Sequence, residues 1–93
     1  MQLTDFMQLL TSLDDRNALF LAAGNQEIPL SKVTLARESC QLTTGDKPLT
    51  LGHLKRLLGR GSQDIPLRFL ADGQEVPVYG VQIQAAKGRL LCK

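Results

Sequence analysis

Leu3, Phe6, Leu9, Leu10 and Leu13 follow one another at spacings of three, three, one and three, with Asp5, Gln8, Thr11 and Ser12 between them. That pattern predicts an amphipathic helix whose apolar face carries these five residues. Thr4 or Gln2 is placed to start it, and Asp5 suits the positive end of its dipole. Asp14 and Asp15 would oppose the negative end, so they are expected in the turn beyond. Asn17 to Ala23 is short and apolar and runs into Gly24-Asn25, which reads as a strand entering a tight turn. Ile28-Pro29-Leu30 follows, and because proline donates no ladder hydrogen bond this piece is expected at an edge, bulge or bend rather than in a central strand. Val33-Thr34-Leu35 and Cys40 to Leu42 then alternate around the polar link Arg37-Glu38-Ser39, as in a hairpin.

The same order returns in the second half. Thr50 stands before a stripe of Leu51, Leu54, Leu57 and Leu58, and Gly59-Arg60-Gly61 closes that helix. Leu67 to Ala71 runs into Asp72-Gly73, a dipeptide favoured in hairpin turns. Gln74-Glu75-Val76-Pro77 then repeats Gln26-Glu27-Ile28-Pro29, and Val81-Gln82-Ile83 with Arg89-Leu90-Leu91 supplies a second hairpin. At one offset of 48 positions Leu3/Leu51, Leu9/Leu57, Leu10/Leu58, Leu19/Leu67, Ala23/Ala71, Val33/Val81 and Leu42/Leu90 are identical, with no gap required. The chain therefore reads as tandem copies of one unit, residues 1–45 and 49–93, joined by a linker at 43–48.

Each copy is close to the size at which a lone core needs a metal, disulfides or a partner, so the two are expected to share one core. The expected fold is α+β: two tandem α-β-β(-β) units forming one two-layer domain. Both helices would pack on one face of an antiparallel sheet about an approximate twofold axis.

Composition adds limits. Hydrophobic residues make up 43% and charged residues 22%, the balance of an ordinary packed domain. No apolar run approaches the roughly 20 residues that span a bilayer. The first residues also lack the basic start and apolar core of a signal peptide, so a soluble, cytoplasmic protein with no membrane contact is expected. Cys40 and Cys92 fall outside the 48-residue register, opposite Gly88 and Thr44. With a single histidine they cannot make a four-ligand zinc site, and they read as small buried hydrophobes at strand ends. Neither a metal nor another cofactor is expected.

Charge separates the copies. Residues 1–46 hold six acids and three bases, residues 47–93 three acids and eight bases. Such polarity suits an oriented partner or head-to-tail association. Two surfaces are candidates for partner binding: the basic second helix, with His53, Lys55, Arg56 and Arg60, and the repeated turn pair Gln26, Glu27, Gln74 and Glu75. A solvated helix face and ordinary turn chemistry are the plain alternatives. No catalytic constellation is present: His53 has no serine or cysteine with an orienting acid, and Gly59-Arg60-Gly61 follows its helix instead of opening one.

Leu3-Thr4-x-Phe6-x-x-Leu9-Leu10, Asn17-Ala18-Leu19-Phe20-Leu21 and Ile28-Pro29-Leu30-x-x-Val33-x-Leu35 resemble small uncharacterised helix-and-hairpin proteins of phages and mobile elements. Leu13-Asp14 departs from their leucine-proline link, and the second unit has Asp64-Ile65-Pro66 there. The resemblance implies a phage or accessory-gene origin and carries no functional residue with it. The expectation is a small non-enzymatic protein-binding module, an accessory or inhibitor protein. The alternative is a nucleic-acid-binding protein using the basic second helix, and a homodimer is compatible with either.

Overall fold

The computed structural model describes residues 1–59 and 64–93. It is an α+β fold of two helices and one seven-stranded sheet. The elements are α1 (Leu3–Leu10), β1 (Ala18–Ala23), β2 (Gln26–Leu35), β3 (Cys40–Thr44), α2 (Leu51–Leu58), β4 (Leu67–Ala71), β5 (Gln74–Val76), β6 (Val81–Gln84) and β7 (Arg89–Cys92). A 3-10 turn at Ala85–Lys87 separates the last two strands. Among the described residues no helix is long and apolar enough to cross a membrane.

The sheet order is β5-β4-β3-β2-β1-β7-β6. It is mixed, which corrects the antiparallel expectation: β3 runs parallel to β4, and β1 runs parallel to β7. The first parallel pair follows from chain geometry. α2 lies between β3 and β4, and a helical crossover returns the chain in the direction it left. The second pair joins the first strand of the chain to the last.

Pro29 lies inside β2, the middle strand of the order, and of the expected edge, bulge or bend it is a bulge that stands beside it. Its neighbours explain the tolerance. Gln26 to Pro29 pair with β1 and Leu30 to Leu35 with β3, and the register slips between Leu30 and Lys32. The missing N–H thus falls where the strand leaves one ladder and joins the next, next to a bulge, as proline requires. At Pro77 the strand does stop. Pro77 to Gly80 joins β5 to β6, and Gly80 exchanges backbone hydrogen bonds with Lys93 at 2.9 and 3.0 Å. Those four linking residues hold the two ends of the sheet order within about 18 Å of each other, so the sheet curls.

The turns follow their sequences. Asp72 and Gly73 both take positive φ, 51° and 79°, the geometry a two-residue hairpin needs. Thr43 and Thr44, placed in the linker by composition, belong to β3.

Each helix starts against a strand from the other half of the chain. The Leu3 N–H donates to the Ile65 carbonyl at 2.8 Å, and the Leu67 N–H donates to Met1 at 2.8 Å. The Leu51 N–H donates to Asn17 at 2.8 Å, and the Leu19 N–H donates to Leu49 at 2.9 Å. These contacts satisfy helix-start donors that have no partner within the helix. Gln2 is the N-cap position of α1 but makes no side-chain cap, whereas Thr50 Oγ1 accepts from the His53 N–H at 3.2 Å.

The helix stripes are narrower than expected. Leu3, Phe6 and Leu10 of α1 and Leu51, Leu54 and Leu58 of α2 are buried with the strand residues in one core, but Leu9 and Leu57 are 53% and 52% exposed. At about 100° per residue they stand about 90° from the centre of each buried stripe. The Phe6 and Phe69 rings meet edge to face, 5.8 Å between centroids, tying α1 to β4.

Candidate surface on the second helix

Burial of Leu51, Leu54 and Leu58 turns His53, Arg56 and Leu57 outward on α2. The helix begins hard against the turn that follows α1. A Cβ added at Gly52 would sit 3.0 Å from Asp15 Cβ, and the Gly52 N–H donates to the Asp15 carbonyl at 2.9 Å. Glycine allows that approach. It also places Lys55 Nζ 2.9 Å from Asp15 Oδ1.

A shallow cleft of about 470 Å³ lies here, lined by Asp15, Arg16, Thr50, Gly52, Lys55 and Arg56. It is ill suited to an anion. The Leu51, Gly52 and His53 N–H groups already donate to Asn17, Asp15 and Thr50, and the Asp15 carboxylate forms part of the wall. Arg16 is held by Asp14 at 2.8 Å. The Arg16 side chain and its own N–H hydrogen-bond the Asp14 carboxylate and lower its pKa from 3.8 to about 2, while the carboxylate raises that of Arg16. The folded value lies below the unfolded one, so any stability from this exposed pair is present above about pH 4. It is lost as pH falls through about 2.

The predicted residues are thus divided. His53 and Arg56 are exposed, Lys55 is engaged by Asp15, and Arg60 lies outside the described residues. The turn residues Gln26, Glu27, Gln74 and Glu75 are all exposed. They stand at the starts of β2 and β5, and both glutamates make ion pairs within the chain. Glu75 meets Arg68 of the neighbouring strand at 2.8 Å. Glu27 meets Arg89, whose guanidinium lies 4.6 Å from the centre of the Phe20 ring and also contacts Gln84. Arg89 therefore ties β2 to β7 across β1, a role with no sequence signal.

Among the described residues the large apolar side chains Leu9, Leu35, Leu57, Tyr79 and Ile83 are exposed. For the two helical leucines the wheel angle is the signal that identifies them.

Both cysteines are free and buried, Cys40 at the start of β3 and Cys92 at the end of β7. Burial raises both thiol pKa values, that of Cys92 to about 12. A colourless disulfide reagent at about pH 8 should therefore react with neither thiol in the folded protein and with both in denaturant, because the thiolate is the nucleophile. Reaction of either at the rate of a free cysteine would contradict this burial.

No protein-family model, curated protein or solved structure matches this chain.

Proposed function

We propose that this chain is a non-enzymatic protein-binding module made of two interlocked copies of one unit, with His53, Arg56 and Leu57 of α2 as its contact surface. The observation that carries the reading is Leu57, half exposed with His53 one turn before it and Arg56 preceding it, on a helix packed by its other side. An apolar side chain with a charged rim is the composition of a protein contact. The nucleic-acid alternative loses support at the same place. Asp15 engages Lys55, which thins the stripe of cations that phosphate contacts would use.

The two-copy plan, with its approximate twofold axis, is supported by reciprocity. The donors Leu3 and Leu67 on Ile65 and Met1 become Leu51 and Leu19 on Asn17 and Leu49 when each number moves by 48. The isolated bridges Gln2/Pro66 and Ala18/Thr50 exchange in the same way. One refinement is needed to the gapless alignment. Leu35 pairs with Cys40 and Ile83 with Leu90, so the second hairpin is two residues longer. With that insertion Cys40 corresponds to Leu90 and Cys92 to Leu42, four buried core positions, and each cysteine substitutes for a leucine.

The test is capture from a nuclease-treated lysate of the source organism with the native chain and with Leu57→Asp. A protein retained by the native chain and lost with the variant is expected. Capture that Leu57→Asp leaves unchanged would remove α2 as the surface, and capture that vanishes with nuclease would favour nucleic acid.

A further inference from the structure

We infer that the chain associates with itself head to tail, the outer face of α1 in one copy seating on the outer face of α2 in the next. The inference rests on α2 being a contact surface, and it names a second copy of this chain as the partner. Leu9 and Leu57 are the only matched pair of half-exposed leucines on the two described helices, 53% and 52% exposed, at the same angle and 48 positions apart. Around them the charge is one-signed on each helix. α1 carries Asp5 and no base, and α2 carries Arg56 and Lys55, the latter paired with Asp15, and no acid. Asp5 and His53 occupy equivalent positions, one turn before the exposed leucine.

Those charges choose the pairing. With the two helices running parallel, α1 against α1 would set Asp5 beside Asp5, and α2 against α2 would set Arg56 beside Arg56, both repulsive. α1 against α2 sets Asp5 beside His53 and Arg56 around two leucines that exclude water. A contact between unlike faces leaves one face of each kind free at the ends, so the assembly extends copy by copy unless it closes in a ring.

Light scattering after size exclusion, at low salt and across a concentration series, tests this with Leu9→Asp and Leu57→Asp. Both side chains are half exposed, so both variants retain the core. The native chain of 10.2 kDa should rise in mass with concentration and fall back with salt. Each variant alone should remain a single copy. Their equimolar mixture should stop at two copies, because only the α2 face of Leu9→Asp and the α1 face of Leu57→Asp remain competent. Asp5→Lys and Arg56→Glu, which keep both leucines, should each associate less alone and recover when mixed. A native chain that stays one copy throughout, a single aspartate variant that still associates, or a mixture that stays monomeric would overturn self-association. The first of these together with Leu57-dependent capture of another protein would leave α2 as a surface and remove only the second copy as its partner.

Discussion

Phe69→Ala should destabilise the protein by about 3–5 kcal/mol, and Phe6→Ala by a similar amount, in equilibrium urea unfolding. Both rings are essentially excluded from water, at 2% and 0% exposure, and they meet edge to face. Truncation therefore loses transfer free energy and leaves a void between α1 and β4 that neighbouring leucines only partly fill. Edge-to-face geometry adds a specific term, so the double variant should cost less than the two single costs together, by about 0.5–1.5 kcal/mol. A domain of this size commonly has about 5–15 kcal/mol in total, so either single variant should lie close to unfolding at moderate urea. Additive costs, or single costs below about 1 kcal/mol, would mean that the rings do not join α1 to the second half.

That contact also marks how far the sequence could be read. Period 3.6 identifies both helices and six of their buried residues, because a helix face is a local property. It over-counts Leu13, which lies beyond the end of α1, and Leu9 and Leu57, since a leucine at the margin of the stripe satisfies the spacing without reaching the core. The Asp72-Gly73 turn is legible because positive φ is a local demand that few residues meet. Strand direction is not. β3 with β4 and β1 with β7 join strands from different halves, and alternation within a strand says which side is buried but nothing about its neighbour. Pro29 is only partly legible for the same reason: the sequence allows an edge, a bulge or a bend, and which one applies depends on the ladder its N–H would enter.

Charge shows the limit most clearly at the candidate surface. The sequence places Lys55 among the free cations and Glu27 among displayed acids. Their partners Asp15 and Arg89 are 40 and 62 positions away. Only folding brings them together, and each pair engages a charge that the sequence alone leaves unpaired. Among the described residues, His53 and Arg56 stand beside Leu57 without a side-chain partner from the first half of the chain.

Cutting the chain in the exposed segment between Gly45 and Pro48 should give two halves that do not fold as monomers but restore the native fold when mixed one to one. Met1 and Leu3 complete the entry to β4, while Leu49 and Leu51 complete the entry to β1. Separation therefore leaves each helix start and each strand entry without its backbone partner. It also uncovers one flank of β3 and one flank of β1, whose parallel neighbours come from the other half. A piece of about 45 residues has little apolar burial to set against that loss. Circular dichroism should show each half largely unstructured at low concentration, and the mixture should regain the cooperative unfolding of the whole chain with a midpoint that rises with concentration. If one half alone assembles into a folded pair, the twofold plan gains support, because that half then plays both parts. If either half folds as a monomer, the helices do not depend on the opposite strands, and the interlocked reading fails.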